Sequence, residues 1–131
     1  MPCLETDFLV ALLRKEAPAI SKLKELSSVG SELSITPITA TELFKGAFAS
    51  RNPENVRKVE QLTLALRILA FDFFAARQAG RLLSELDKNG HKIGDFDALT
   101  GAIALRHGVT TIVSKNEKHF GKIEGVKIEK W

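Results

Sequence analysis

Short apolar runs alternate along the chain with longer segments of helical periodicity, and this alternation restricts the fold more than any other feature. The apolar runs predict strands at Pro2–Glu5, Leu33–Ile35, Arg67–Ala70 and Thr110–Val113, with Val126–Ile128 as an edge strand. The segments between them predict helices at Phe8–Arg14, Pro18–Leu26, Thr39–Phe48, Glu54–Leu64, Phe73–Leu86 and Phe96–Arg106. Asp72 is expected to cap the helix that begins at Phe73. Because a helix usually connects two parallel strands, the pattern indicates a mostly parallel sheet covered by helices.

The chain has the size of one compact domain, and we expect residues 1–131 to form a single domain. It has 131 residues, without an internal repeat, a low-complexity tract or a Pro/Ser-rich linker. The single cysteine, Cys3, lies in an apolar segment, which predicts a buried thiol rather than a nucleophile. A lone thiol is typical of a reducing compartment, so we expect a cytoplasmic location.

The sequence also predicts neither export nor association with a membrane. No apolar run reaches the length that crosses a bilayer, and Glu5 and Asp7 occur where a signal peptide would be apolar. The formal net charge of +3 is a weak indication of a nucleic-acid partner. The indication strengthens if several acids share one cleft, because the remaining surface is then more basic.

Polar residues follow the predicted strands, at the edge where parallel α/β sheets bind their ligands. They occur in four places: Glu5, Thr6 and Asp7; Glu42; Asp95 and Asp97; and Ser114, Lys115 and Asn116. Carboxylates that converge at one edge repel each other, so such an arrangement normally requires a cation. Oxygen ligands favour Mg²⁺ or Mn²⁺, and the three histidines and one cysteine show no spacing typical of zinc or iron sites.

Several of these residues also have a purely structural interpretation. Thr39 with Glu42 matches a capping box, and Asp95 matches a helix N-cap. Asn116 fits the N-cap of a helical turn at Glu117–Phe120. Taken one at a time, these residues do not establish a function.

Glu5 and Asp97 are harder to explain by structure alone. An acid at the end of an apolar strand is costly unless it is paired or metal-bound, and for Glu5 the structural and functional interpretations are balanced. Asp97 lies on an otherwise apolar helix face, which favours a functional role. His107 and His119 are interpreted as solvated residues at helix ends.

The motifs that contain these residues resemble those of PIN-domain ribonucleases, and in particular of VapC-type toxins. The resemblance covers nearly the whole chain, and the motifs follow the order and spacing of that family at Leu4–Leu9, Ile38–Gly46, Ile93–Ala104, Ile112–Phe120 and Ile123–Trp131. The first three motifs place the acids of the family at Glu5, Glu42 and Asp97.

Two positions depart from the pattern of the family. Its first acid is usually aspartate, whereas this chain has Glu5, and Asp7 stands where a small polar residue is more common. Either Glu5 binds a displaced metal or Asp7 takes over part of that role. The fourth motif often has an aspartate where this chain has Asn116, so one metal ion is better supported than two.

The resemblance implies a three-layer α/β/α PIN-like fold with a mostly parallel central sheet of four to five strands. It also implies metal-dependent hydrolysis of RNA phosphodiesters, with Mg²⁺ or Mn²⁺ as cofactor. The implied catalytic residues are Glu5, Glu42, Asp97 and Asn116, and the implied metal ligands are Glu5, Asp7 and Asp97. Supporting residues are Thr6, Asp95 and Ser114, and candidates for contacts with RNA phosphates are Lys45, Arg51, Lys115 and Lys118.

By the same resemblance, the expected partners are an RNA substrate, a small VapB-type antitoxin and a second copy of the chain in a homodimer. Apolar positions between Glu54 and Leu69 offer a surface for either protein contact, although core packing is the commoner explanation. Which RNA is cleaved does not follow from these residues.

Two other functions fit some of the same features. A receiver-like signalling domain also gathers acids at the ends of parallel strands, binds Mg²⁺ and, separately, uses a lysine such as Lys115. Such a domain needs a phosphorylatable aspartate directly after a central strand, and Pro37–Thr41 contains none. A PIN fold that has lost catalysis and serves only as a binding module is the second alternative.

Overall fold

The computed structural model describes all 131 residues and contains one five-stranded sheet in which every neighbouring pair of strands is parallel. The strands are β1 (Cys3–Leu4), β2 (Ser34–Ile35), β3 (Arg67–Ile68), β4 (Thr111–Val113) and β5 (Lys127–Glu129). Their order across the sheet is β3-β2-β1-β4-β5, so β1 is central. The predicted parallel sheet is confirmed; β1 to β4 are shorter than the apolar runs that predicted them, and β5 has the predicted length but begins one residue later.

Seven helices accompany the sheet, and none of them combines the length and the hydropathy needed to span a bilayer. They are α1 (Thr6–Leu13), α2 (Ala17–Ser28), α3 (Pro37–Ala49), α4 (Pro53–Leu64), α5 (Phe73–Lys88), α6 (Asp95–Arg106) and α7 (Glu117–Phe120). Each strand except the last is followed by one or two helices, and these cover both faces of the sheet. The result is the expected three-layer α/β/α arrangement.

Alternation of side chains along the strands divides the core into two clusters, one on each face of the sheet. Leu4 and Val113 pack with residues of α1 to α4, including Phe8, whereas Cys3 and Ile112 pack with residues of α5 and α6. Burial raises the pKa of the Cys3 thiol from its ordinary value of 9.0 to about 12, and Glu5 acts in the same direction. The predicted buried, unreactive cysteine is confirmed.

The N-terminus of α3 differs from the sequence prediction in a way that affects the site. Thr36 is the N-cap residue, and its Oγ1 accepts a hydrogen bond from the backbone N–H of Thr39 at 3.2 Å. Pro37 occupies the first helical position, where its fixed φ and missing N–H are tolerated. The capping box predicted at Thr39 and Glu42 is therefore wrong, and both side chains are available for other contacts.

Other predicted caps can be compared in the same way. Asp72 and Asn116 are N-cap residues whose side chains accept backbone N–H groups of Ala75 and His119, as predicted. Asp95 is not a cap, because α6 begins one residue earlier than expected and its N-cap residue is Gly94. Helix boundaries follow local chain geometry, which side-chain preferences determine only within one or two residues.

The position of the α3 cap can be tested by replacing Thr36. Thr36→Ala removes the acceptor for the Thr39 N–H inside the protein, and we expect a loss of about 1–2 kcal/mol in the free energy of unfolding. Thr41→Ala is the matched control on the same helix, because Thr41 is exposed and donates only to the Pro37 carbonyl. Urea denaturation measures both. Equal stability of the two variants would contradict the assignment of Thr36 as the cap.

Candidate functional site

Glu5 directly follows the central strand β1, and its carboxylate is buried. It is the N-cap residue of α1, but its side chain does not cap the helix. Only 5% of the residue is exposed. Oε1 accepts hydrogen bonds from Thr6 Oγ1 at 3.2 Å and from Thr39 Oγ1 at 3.1 Å. Neutral hydroxyls are its only side-chain partners, and no ion pair of the protein includes it.

Glu42 approaches Glu5 through the hydroxyl of Thr6. Thr6 Oγ1 lies 2.9 Å from Glu42 Oε1 as well as 3.2 Å from Glu5 Oε1. A hydroxyl has one proton to donate, so the two carboxylates share a single donor. Helix α3, which begins at Pro37, places Glu42 in its second turn on the side facing α1. The first two predicted acids therefore converge on one oxygen atom.

Buried threonines connect Glu5 with the start of α3 and with α6. Thr36 Oγ1 donates to Thr39 Oγ1 at 3.3 Å and lies 3.4 Å from Thr100 Oγ1. All three threonines are fully buried. A hydroxyl both donates and accepts hydrogen bonds, so Thr39 Oγ1 can accept one from Thr36 and donate one to Glu5. The sequence analysis did not predict this network of threonine hydroxyls. The sequence signal for it is a threonine three residues from each of the acids Glu42 and Asp97.

Asp97, in the first turn of α6, meets the turn that carries Asn116 and His119. Asp97 Oδ2 lies 2.5 Å from His119 Nδ1 and accepts a hydrogen bond from Asn116 Nδ2 at 3.3 Å. The side chain of Asp97 is 18% exposed and that of His119 is 32% exposed. The prediction that His119 is a solvated helix-end residue is wrong, because the short helix α7 turns its ring toward Asp97.

The carboxylates influence one another electrostatically. Burial raises the pKa of Glu5 from its ordinary value of 4.5 to about 7, the charges of Glu42, Asp97 and Asp7 act in the same direction, and a hydrogen bond from the Thr6 backbone opposes them. The pKa of Glu42 is also raised, first by burial and then by Asp97, against the effects of Thr6 and Lys45. Three acids from three helices therefore contribute to the field at Glu5.

Asp7 has a different environment from the other acids. Its Oδ1 accepts the backbone N–H of Phe8 at 2.8 Å. Its Oδ2 accepts the hydroxyl of Ser114 at 3.0 Å and the backbone N–H of Lys115 at 2.8 Å. Both oxygens thus bind groups of the chain itself, and the carboxylate is directed to the segment after β4.

The remaining predicted residues are only partly brought together. Thr6 and Ser114 contact the acids as described above, whereas Asp95 is exposed at the start of α6. Among the predicted phosphate contacts, Lys45 lies close enough to Glu42 to lower the pKa of that carboxyl. Lys115 Nζ lies 4.5 Å from the centre of the Trp131 ring. This cation–π contact directs the ammonium group to the ring. Arg51 and Lys118 are exposed.

The donor set matches a hard divalent cation in its chemistry. Carboxylates and an amide oxygen are the ligands that Mg²⁺ and Mn²⁺ prefer, and a buried acid without a cationic partner is the kind of group that a metal ion neutralises. In their present rotamers, no three His, Cys, Asp or Glu side chains are arranged to bind one ion together.

Comparison with known proteins identifies a family and several relatives. The PIN domain family matches residues 3–126. The tRNA(fMet)-specific endonuclease VapC of Salmonella typhimurium is 30% identical over 129 residues, which are 98% of this chain and 96% of the relative. The tRNA(fMet)-specific endonuclease VapC of Shigella flexneri is 26% identical over the same shares of the two chains.

Solved structures of toxin–antitoxin complexes share this fold. VapBC2 from Rickettsia felis, bound to a DNA fragment from its promoter, has a TM-score of 0.87 at 27% identity, covering 99% of this chain and 98% of that one. DNA-bound VapBC from Salmonella typhimurium has a TM-score of 0.86 at 29% identity, covering 99% and 97%. The similarity extends over the whole sheet and all of the helices that surround the acids.

The raised pKa of Glu5 predicts how the stability of the metal-free protein depends on pH. Below pH 4.5 Glu5 is protonated in both the folded and the unfolded chain, and from there to about pH 7 only the unfolded chain ionises. The free energy of unfolding therefore falls by about 3 kcal/mol as the pH rises through this window, at 1.36 kcal/mol for each pKa unit. Glu5→Gln removes the loss, so we expect the variant to match wild type near pH 4 and to be more stable at pH 8.

Urea unfolding in EDTA at the two pH values measures this difference between variant and wild type. Glu124→Gln is the matched control, because Glu124 is exposed and solvated, and we expect it to follow wild type at both pH values. A constant difference between Glu5→Gln and wild type at pH 4 and pH 8 would show that Glu5 ionises as freely in the folded protein as in the unfolded chain.

Proposed function

The chain belongs to the PIN domain family, and we propose that it is a divalent-metal-dependent endoribonuclease that acts as the toxin of a VapBC-type toxin–antitoxin pair. The observation that supports this most strongly is the convergence of Glu5, Glu42 and Asp97 at the carboxyl end of β1. Glu5 is buried there beside two other acids without a cationic partner. Because the chain belongs to this family, the receiver-like signalling domain is excluded as an alternative.

In this proposal Glu5 and Asp97 bind the cation, and Glu42 completes its coordination or orients a water molecule. A bound Mg²⁺ or Mn²⁺ supplies a Lewis acid that polarises the scissile phosphate and lowers the pKa of a bound water. Asn116 and His119 hold the Asp97 carboxylate, and Thr6 and Thr39 orient the other two acids. We propose one ion, because Asn116 offers a neutral oxygen that already caps α7.

Exposed basic residues around the acids offer contacts for the RNA backbone. Lys45 flanks Glu42 on α3, and Lys118 lies on α7 beside His119. Arg51 lies at the turn from α3 to α4, farther from the acids along the chain. Lys115 is the weakest candidate, since its ammonium already contacts Trp131. Phosphate contacts of this kind position the RNA and contribute affinity that falls with salt.

We further propose a small VapB-type antitoxin as a protein partner, a homodimeric toxin and a cytoplasmic site of action, by analogy with the VapBC complexes. A groove of about 310 Å³ between α1, α3 and α4 is a surface for such a partner, because it combines Glu42 with the apolar side chains of Val10, Leu43 and Val59. A segment bound in this groove would reach one of the three acids. Mass measurement by light scattering, with and without the antitoxin, tests both associations.

Asp97→Asn tests the proposed activity directly. The substitution keeps the shape of the side chain and removes its charge, so we expect cleavage of a mixed RNA pool to fall at least about 100-fold while the fold is retained. Asp87→Asn, an exposed change of the same kind on α5, should cleave like wild type. Gel analysis of the pool with Mg²⁺, with Mn²⁺ and with EDTA measures the effect, and circular dichroism checks the fold.

The outcomes of this experiment separate the two remaining functions. Cleavage that EDTA abolishes and Asp97→Asn removes supports the nuclease. Full cleavage by Asp97→Asn would show that the role of Asp97 is structural only. Absence of cleavage by the wild type with either metal, together with binding of RNA or of the antitoxin, would favour a PIN fold that has lost catalysis.

A further inference from the structure

Asp7 links two parts of the chain that are far apart in sequence. It lies in the first turn of α1, and its Oδ1 accepts the N–H of the next residue, Phe8. Its Oδ2 accepts the hydroxyl of Ser114 at 3.0 Å and the N–H of Lys115 at 2.8 Å, both in the segment between β4 and α7. These three hydrogen bonds use most of the acceptor capacity of a carboxylate.

The segment that Asp7 binds is the one that brings Asn116 and His119 to Asp97. Ser114 Oγ, which donates to Asp7, also accepts the backbone N–H of Asn116 at 2.9 Å. Asn116 in turn caps α7 through the N–H of His119 and donates to Asp97 at 3.3 Å. A continuous series of hydrogen bonds therefore runs from Asp7 through Ser114 and Asn116 to Asp97.

We propose that Asp7 is a positioning residue that holds the segment from Ser114 to His119 against α1, and not a metal ligand. The inference rests on the proposed nuclease function, because Asp7 acts on Asp97 indirectly. It holds the segment whose Asn116 and His119 side chains contact the Asp97 carboxylate. A charged acceptor suits this role, since hydrogen bonds to a carboxylate are shorter and stronger than those to a neutral oxygen. Ser114 is fully buried, so loss of Asp7 leaves its hydroxyl without a partner for its proton.

Asp7→Asn and Ser114→Ala test the proposal together. An asparagine has one oxygen, so it can accept either from Phe8 or from the Ser114–Lys115 pair, but not from both. Ser114→Ala removes the hydroxyl that donates to Asp7 and leaves the hydrogen bond from the Lys115 N–H in place. We expect each variant to lower kcat by about 10- to 100-fold with little change in KM, and the double variant to be no worse than the more damaged single one.

Titration of Mg²⁺ by calorimetry separates positioning from metal binding. A positioning role predicts that Asp7→Asn and Ser114→Ala weaken Mg²⁺ binding to a similar, small extent. Loss of Mg²⁺ binding in Asp7→Asn with normal binding in Ser114→Ala would overturn the proposal and make Asp7 a ligand. Asp72→Asn is the matched control, because Asp72 is also an aspartate that accepts a backbone N–H at a helix start, and it should leave the Mg²⁺ affinity unchanged.

A measurement on the metal-free protein keeps this test independent of nuclease activity. We expect Asp7→Asn to speed hydrogen exchange of the Lys115 amide at least about tenfold and to shift the NMR signals of the Asn116 side chain and the His119 ring. Unchanged exchange and unchanged signals would show that Asp7 does not hold this segment. If wild type fails to cleave RNA, the proposed function fails, and the exchange data still decide whether Asp7 positions the segment.

Discussion

The candidate site is built around a buried carboxylate at the carboxyl end of the central strand, and the neighbouring polar groups are arranged to compensate its burial. Glu5 is 5% exposed and directly follows β1, which lies in the middle of the sheet. An ionised acid in such a place is costly unless something compensates it. Neutral hydroxyls from Thr6 and Thr39 do so in part, and the remaining cost appears as the raised pKa of Glu5. The proposal that a cation binds here rests on this uncompensated burial.

Two groups of polar contacts hold the acids at this edge of the sheet. The first group consists of threonine hydroxyls at the start of α3 and on α6. They form a buried, neutral network in which the hydroxyls hydrogen-bond to one another and to Glu5. From the segment after β4 come Asn116 and His119, which hold Asp97. The first group fixes the geometry of Glu5 without adding charge. The second fixes the Asp97 carboxylate through the side chains of the segment after β4.

Several features were predictable because they depend on local pattern. The alternation of apolar runs and helical segments is sufficient for a parallel sheet, since crossover connections of this length admit few other arrangements. Glu5, Glu42 and Asp97 were predictable as a group because the carboxyl ends of parallel strands meet at one edge. The caps at Asp72 and Asn116 also followed from residue preference, since each is a local contact within three residues.

The sequence by itself therefore determined the class of fold and the edge of the sheet at which Glu5, Glu42 and Asp97 lie. Only the tertiary structure decided which partner each polar group takes. Asp7 contacts Ser114 and Lys115, which are more than a hundred residues away, and His119 turns to Asp97 because α7 packs against α6. Thr39 serves Glu5 instead of capping a helix, because Thr36 already caps it. Contacts between distant segments depend on packing, and a pattern of single residues along the chain does not record it.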